Sequence, residues 1–552
     1  MKFQSQKVAY YFFATCMLLL SLQLVYGFIM AFAHMGYDVL HNVIPFNTAR
    51  TTHTNLLVVW LLTGFMGAAY YIIPEESGRE LYNVKLAYVQ LAALVIVGVV
   101  AIIGFHVNWW EGRKFLEIPR PLDYLVVVDV LLFMFNIGMT IWLGKRHTTT
   151  AIVLFFGLLM AALLYLPGMI DFNNQTMDSF YRWWVVHLWV EGVWELIMGA
   201  LLCYLLIKLT GVDREVVEKW LYIIVGLTFL SGILGTGHHY YYIGAPRYWL
   251  MIGGIFSALE PLAFLGMAIY ALAMAKKGGR RHPNKAALNW TLGSAIMSFV
   301  GAGFLGFAHT LPQVNMYTHG TLVTAMHGHM AFWGAYAMIN LAMIAYVLPV
   351  LTGRKLWDNA ASAYAFWLSN IGMTAMTGAL AVAGITQVNL ERRMGMDFLA
   401  VQKEIEIHFV GMILADLTPV TFDAPIKPPS AVRKICEPET GRPTGTTGTI
   451  SAPGSNVIVP EECRKVDAPG VVESTTPSTA LALNVPVVKL VVPPVCASVP
   501  FTTLIVSAPS LSVMPPAKPS RARARWRAGR CAPAPATAPA RGCAATADPA
   551  PR

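Results

Sequence analysis

Apolar runs of about 20 residues recur from the start of the chain to about residue 390, separated by short polar stretches, and then stop. As a helix, a run of that length crosses the roughly 30 Å hydrocarbon core of a bilayer. The pattern predicts eleven such helices, near 9–33, 51–73, 85–105, 122–143, 150–170, 180–208, 219–243, 249–275, 288–310, 318–350 and 362–388. The first run is long enough to span and shows no small-residue cleavage site, so it reads as a helix rather than a removable leader. The expected fold is an all-α, polytopic membrane bundle of about 11–12 helices with a C-terminal tail of different character.

One segment breaks the apolar rule. Residues 183–195 read WWVVHLWVEGVWE, and His187, Glu191 and Glu195 recur every four residues on one helical face. A carboxylate inside a membrane helix costs at least about 3 kcal/mol unless it is paired, hydrated or bound to a metal. Imidazole and carboxylate one turn apart can both bind iron, which would offset that cost. A proton path, or pairing with a basic residue, is the alternative reading of the two glutamates.

Composition agrees with the pattern: 56% of residues are hydrophobic and only 13% charged, about half the charge of a soluble protein. With the N-terminus inside, the cytoplasmic loops hold Lys145, Arg146, Lys208, Arg214, Lys219, Lys276, Lys277, Arg280, Arg281, Lys285, Arg354 and Lys355. The opposite loops hold fewer basic residues, so the positive-inside rule places the N-terminus in the cytoplasm. Much of the net charge of +10 sits in an Arg-rich tail, so it carries no implication of nucleic-acid binding. Only Cys16 and Cys203 lie in the membrane region, and there is no C-x-x-C-H, so the chain attaches no c-type haem.

Around residue 416 the composition changes abruptly. The last apolar run, IEIHFVGMILADL, is too short to span, and from Thr418 the chain is rich in Pro, Ala, Val, Thr and Ser. Prolines this dense predict disorder or polyproline-like chain. The expected division is a catalytic membrane domain over 1–415 and a tail over 416–552. The tail reads either as a solvated extension or as a frameshifted segment that replaces a twelfth helix begun near Ile405.

Six histidines share one depth. His53, His187 and the HGH pair His327/His329 fall near the outer starts of predicted helices, and His238/His239 at the outer end of another. Residues two apart on a helix point roughly 200° apart, so His327 and His329 should serve different sites. Two axial histidines make a six-coordinate haem suited to electron transfer, and one leaves a position open for a reacting gas. Three histidines with a carboxylate make a separate non-haem metal site. Alone, each has a bland reading as a hydrogen-bonded helix-end residue. His34, His41, His106, His147, His282 and His408 read as bland, while His309 and His319 lie at the outer helix ends, within reach of haem propionates.

These residues carry a resemblance. The segments RTTHTNLLVVWLLTGFMGAAYYIIPEES, WWVVHLWVEGVWELIMGA, LSGILGTGHHYYYIG, FSALEPL and THGTLVTAMHGHMAFWGAYAM closely resemble the catalytic subunit of cytochrome-c-dependent nitric oxide reductases, in the haem–copper oxidase superfamily. The resemblance covers about residues 5–415. It implies His53 and His329 as axial ligands of low-spin haem b, and His327 as the proximal ligand of high-spin haem b3. It implies His187, His238, His239 and Glu191 as ligands of a non-haem iron, Glu195 and Glu260 as carboxylates that tune the site or relay protons, and Arg50 as a propionate partner. In oxygen-reducing relatives a Tyr stands four positions after the matching His; here that position is Glu191, a hard ligand that favours iron over copper. In GRKFLEIP, residues 112–119, Lys114 stands where the family usually has a Glu that helps bind a structural Ca²⁺, which puts that ion in doubt and leaves Glu117 as the nearby carboxylate.

The function implied is reduction of nitric oxide to N₂O and water. Electrons would come from a membrane-anchored c-type cytochrome subunit, itself fed by a soluble cytochrome or cupredoxin. A quinol-fed relative would carry a large N-terminal extension, whereas this sequence enters its first helix almost at once. The expected place is the bacterial cytoplasmic membrane, with the site in the periplasmic half and protons drawn from that side. The rivals are an oxygen-reducing terminal oxidase, and a transporter or scaffold whose histidines are structural.

Overall fold

The computed structural model describes residues 1–37, 40–278, 283–356 and 360–415, together with two strands, Thr447–Ala452 and Ser455–Pro460. Among the described residues, eleven helices are long and apolar enough to cross a membrane, at the positions expected from the pattern. The protein is an integral membrane helix bundle. The helices are α1 (Val8–His34), α2 (Phe46–Ser77), α3 (Val84–His106), α4 (Arg120–Trp142), α5 (Thr149–Gly168), α6 (Gln175–Leu188), α7 (Trp194–Thr210), α8 (Arg214–Gly235) and α9 (Tyr248–Ser257). They continue with α10 (Glu260–Lys277), α11 (Lys285–Ser298), α12 (Leu305–Thr310), α13 (Pro312–Thr318), α14 (Leu322–Phe332), α15 (Met338–Thr352), α16 (Ala360–Gln387) and α17 (Phe398–Ala415).

Helix ends are set by local chemistry. The side chains of Asn83, Thr148, Asn174, Asn284 and Thr321 accept hydrogen bonds from backbone N–H groups of the first turns they precede. Gly78, Gly211 and Gly353 end α2, α7 and α15 with φ of 69°, 71° and 65°, a conformation that suits glycine. Helix α17 begins at Phe398, earlier than the apolar run near Ile405 suggested, because Asp397 caps it by accepting from Leu399 N at 2.9 Å.

Several spans that the hydrophobic pattern predicts as continuous are interrupted. Trp189–Val193 is a π-turn joining α6 to α7, Phe299–Phe304 joins α11 to α12, Trp333–Ala337 joins α14 to α15, and Val388–Arg393 follows α16. A π-turn fits one extra residue into a helix and so shifts carbonyls away from their usual partners. Inside a bilayer water cannot satisfy such groups. Carbonyls in three of these turns meet side chains instead. Val190 O accepts from the Tyr336 hydroxyl, Gly301 O from His327 Nδ1 at 3.1 Å, and Gly334 O from Ser294 Oγ at 2.8 Å.

The spans differ in depth of burial. In the most apolar window of α2, of the α6–α7 span and of the α14–α15 span, 78%, 78% and 72% of residues are buried, against 17% and 22% for the spans of α1 and α3. The three central spans carry His53, His187 with Glu191 and Glu195, and His327 with His329. Around them α1 packs along α2, α5 against α7, α11 against α15, and α14 against α16. The 3₁₀ turn Thr236–Tyr240 continues α8 and carries His238 and His239.

The second unit of the chain, from Phe422, is described only in its hairpin. Strand β1 (Thr447–Ala452) pairs antiparallel with β2 (Ser455–Pro460), in register from Thr447 opposite Pro460 to Ala452 opposite Ser455. These two strands fall within the expected tail. Both strands of a two-stranded ribbon are edges, so a terminal proline removes no interior ladder bond. The rest of the expected tail, residues 416–446 and 461–552, lies outside the described residues, and so does the reading of a frameshifted twelfth helix.

Close backbone packing fixes the histidine pair. A Cβ on Gly237 would lie 2.8 Å from Gly253 Cα and N in α9. Gly237→Ala is therefore expected to push the 3₁₀ turn off α9 and to cost about 1–3 kcal/mol, as overpacked sites do. A lowered thermal midpoint of the purified protein, with weaker metal retention, is the outcome to measure; an unchanged midpoint would contradict this packing.

Candidate metal and haem centres

Four of the residues singled out in the sequence converge. His187, Glu191, His238 and His239 each present a ligand atom, and these atoms all lie within 4.8 Å of one another. His187 closes α6, and Glu191 stands in the π-turn with φ −108° and ψ 27°, outside helical values. The His239 ring stacks on Trp183 at 4.3 Å and 4°.

Hydrogen bonds from the far side of the rings assign the tautomers. His187 Nε2 donates to Gly232 O at 2.7 Å, which leaves Nδ1 with its lone pair facing inward. That Nδ1 lies 3.4 Å from Glu191 Oε2, and neither atom has a hydrogen-bond partner. Ser257 Oγ donates to Gly235 O at 3.3 Å and so accepts from His238 Nδ1 at 2.8 Å. His238 Nε2, left as an acceptor, takes a 3.0 Å hydrogen bond from His239 Nε2. The His187 Nδ1 lone pair and Glu191 Oε2 stay unpaired in a buried site, an arrangement that a cation between them would relieve. Three imidazole nitrogens and one carboxylate oxygen are a donor set suited to iron, and the carbonyl and hydroxyl behind the rings are the usual means of fixing such ligands. The residues therefore fit a non-haem metal.

A second pair fits a haem. The rings of His53 and His329 face each other with centroids 6.1 Å apart. Two imidazoles bonded to one metal at about 2 Å, each nitrogen a further ~1 Å from its ring centre, would put the centroids about 6 Å apart. His53 Nδ1 bonds Gln23 O at 3.0 Å and His329 Nδ1 bonds Ala325 O at 2.8 Å, which turns both Nε2 atoms toward the metal side; His53 Nε2 also lies 3.4 Å from the Gln23 side-chain amide. Trp60 Nε1 holds the Gln23 side chain at 2.7 Å. A Cβ on Gly27 would approach the His53 ring to 3.1 Å, so a glycine makes room for this ring.

His327 points elsewhere, as the two-residue spacing predicts. Its Nδ1 is anchored on Gly301 O, and its ring lies 5.7 Å from that of His309. His309 is buried, with Nδ1 2.9 Å from Thr318 Oγ1 and Nε2 3.3 Å from Thr324 Oγ1. It thus lies beside His327 rather than at a bare helix end. His106, read as bland, bonds the Tyr26 hydroxyl at 3.0 Å.

The two further carboxylates lie beside the four-ligand group. Glu195 is buried and accepts from Thr228 Oγ1 at 2.9 Å. Glu260 opens α10, buried against Gly235, where a Cβ would collide with its carboxylate. Thr228, Ser257, Gln23 and Tyr336 escaped the sequence reading because they act on backbone groups or on other side chains and follow no spacing.

The rim of the bundle around Lys114 is rich in positive charge. Arg50 lies 3.5 Å from the buried Glu117, which also accepts from Asn55 Nδ2 at 3.1 Å. Burial pushes the Glu117 carboxyl above its ordinary range, against the pull of hydrogen bonds from the Phe115 backbone and Asn55 and of the Arg50 charge. Desolvation lowers the Lys114 ammonium, and repulsion from Arg50 and Arg182 lowers it further. Burial also holds His319 below the ordinary imidazole range, with Lys114 and Arg392 adding to the shift. Ca²⁺ needs about six to eight oxygen ligands, several of them anionic. Near Lys114 the buried carboxylate Glu117 is already engaged by Arg50 and Asn55 and stands among cations, so these residues do not fit Ca²⁺.

The sequence matches the family described as Cytochrome C and Quinol oxidase polypeptide I over residues 7–418. The chain belongs to that family, and so to the haem–copper oxidase superfamily of membrane oxidoreductases. It is 46% identical to a nitric oxide reductase subunit of Stutzerimonas stutzeri over 431 residues, 74% of this chain and 91% of that one. It is 22% identical to Cytochrome c oxidase subunit 1 of Rhodobacter capsulatus over 388 residues, 66% of this chain and 71% of that one. A heme–copper terminal oxidase dimer solved by cryo-electron microscopy shares the fold, with a TM-score of 0.58, 14% identity, and coverage of 76% of this chain and 86% of that one.

Because the described residues around Lys114 form no oxygen cage for a divalent cation, a calcium chelator is expected to leave the haem spectrum and thermal midpoint of the purified protein unchanged. A fall in either on chelation, reversed by added Ca²⁺, would contradict that reading.

Proposed function

We propose that this chain is the catalytic subunit of a nitric oxide reductase. Two molecules of NO, two electrons and two protons give one N₂O and one water. The observation that carries the reading is the fourth donor of the metal group: Glu191, a carboxylate, 3.4 Å from His187 Nδ1. The similarity to a nitric oxide reductase subunit supports it over most of the membrane region.

In this reading His327 would hold a haem b₃, and His187, His238, His239 and Glu191 a non-haem iron, groups that would supply the redox chemistry on NO. His53 and His329 would hold a haem b suited to electron transfer. What the protein adds is orientation and proton handling. Gly232 O and Ser257 fix the His187 and His238 rings by their far nitrogens. Glu195 keeps one oxygen on Thr228, and its other oxygen is the atom on which a proton is held near the metal. Glu260, buried against Gly235, is the second proton carrier. Burial of His187, Glu195 and Glu260 keeps these groups from bulk water.

The chain has no c-haem motif, so its electrons come from a c-type cytochrome subunit anchored in the same membrane, supplied by a soluble cytochrome or cupredoxin. The excess of basic residues in one set of loops supports an N-terminus in the cytoplasm of a bacterium, with the site in the outer half of the cytoplasmic membrane and protons drawn from that side. The oxygen-reducing reading is disfavoured by Glu191 itself, which occupies the position of a tyrosine in those relatives.

Two sets of variants test this reading in the purified complex. His53→Ala and His329→Ala are each expected to remove the low-spin haem signal in low-temperature EPR, while His327→Ala keeps it and removes haem b₃ ligation. Loss of the same haem in the His327 and His329 variants would defeat the assignment. Glu191→Gln is expected to lower non-haem iron, or to abolish N₂O production, with both haems retained. Glu195→Gln should keep more iron and slow turnover. Full iron and full N₂O production in Glu191→Gln would remove Glu191 from the ligand set.

A further inference from the structure

The π-turn that carries Glu191 has an unusual support. In an uninterrupted α-helix the Val190 carbonyl would receive the Trp194 N–H. Here the Trp194 N–H bonds Trp189 O instead, one residue further back. The shift leaves the Val190 carbonyl without its α-helical donor, and the hydroxyl of Tyr336 donates to it. Tyr336 stands in the Trp333–Ala337 π-turn, on the span that carries His327 and His329. One hydrogen bond thus joins the turn of the metal carboxylate to the span of the haem histidines.

The ring of Tyr336 is clamped. It is 2% exposed, and meets Trp194 at 5.3 Å, Phe332 at 5.9 Å and Phe65 at 6.4 Å, all edge-on. The hydroxyl is therefore delivered to one place. Glu191, the residue after Val190, has a backbone at φ −108° and ψ 27°. This is a sparsely populated region, and it persists only where neighbours over-determine it. Relaxation to α-helical geometry would return the Val190 carbonyl to Trp194 and turn the following residues by about 100° about the axis.

We propose that Tyr336 is a positioning residue for the non-haem metal. By holding the Val190 carbonyl, its hydroxyl keeps the π-turn open and so aims the Glu191 carboxylate at His187, His238 and His239. This rests on the reading of those four residues as metal ligands. Tyr336 does not touch the metal, and its proton is engaged with a backbone carbonyl.

The test is Tyr336→Phe, which removes one oxygen and keeps the ring, made in the whole complex. Iron counted against haem by metal analysis is expected to fall, corresponding to roughly 10-fold to 100-fold weaker metal affinity, as for other groups that orient ligands. The Mössbauer signature of the remaining non-haem iron should change, with the low-spin haem spectrum unaltered. Ser294→Ala is the control, since it removes an equivalent hydrogen bond from the carbonyl of Gly334. It should leave the iron-to-haem ratio at the parent value. Replacement of Tyr336 by 4-aminophenylalanine restores a donor on the same ring and should restore the iron. Full iron with an unchanged signature in Tyr336→Phe would overturn the proposal, and so would equal loss of iron in the Ser294 control. If Tyr336→Phe fails to assemble haem, the aminophenylalanine variant decides: assembly with full iron supports the proposal. Depleted iron or failure to assemble assigns Tyr336 to the fold and overturns it. Full iron in Glu191→Ala would defeat the underlying ligand reading instead, so the two failures are distinguishable.

Discussion

A polar backbone group inside a bilayer has no water to turn to, and this structure is organised around that constraint. A regular helix satisfies each carbonyl once, which leaves a second lone pair that a side chain can use. Some spans around the candidate centres are, in addition, irregular. Three π-turns shift the hydrogen-bond ladder, and carbonyls in them are met by His327, Tyr336 and Ser294. Elsewhere Gly232 O, Gln23 O and Ala325 O take one nitrogen each of His187, His53 and His329. Each such bond fixes which nitrogen of a ring remains for a metal. The requirement to pair every polar group in lipid and the requirement to orient ligand rings are met by the same contacts.

The inward-facing atoms pose the complementary problem. His187 Nδ1 and Glu191 Oε2 are buried without hydrogen-bond partners, which costs stability unless a cation lies between them. A metal ion would be attracted to all four donors, so the candidate centre is expected to be coupled to folding. His187 and Glu191 stand on one of the most deeply buried spans, whereas His238 and His239 come from a less buried one.

The rim around Lys114 follows a different logic. There Arg50, Lys114 and Arg182 bring positive charge around the buried carboxylate Glu117. A divalent cation would add to the repulsion already acting on Lys114.

Much of this was legible in the sequence because a membrane leaves a plain signature. A bilayer has one thickness, so apolar runs of one length reveal the spans, and a carboxylate within such a run needs a partner. The spacing of His187, Glu191 and Glu195, and of His327 and His329, follows from the pitch of a helix, and it correctly separated the two faces of the HGH segment. Only the tertiary structure decided the rest. Periodicity cannot show a π-turn, because the same apolar residues serve both helix types. It cannot show that α17 starts at its Asp397 cap, that His309 comes to lie beside His327, or that Glu117 occupies Arg50. Nor could it find Tyr336, whose role depends on a carbonyl 146 positions away in the chain. Local sequence sets which groups must be satisfied in lipid; which distant group satisfies them is fixed only when the helices pack.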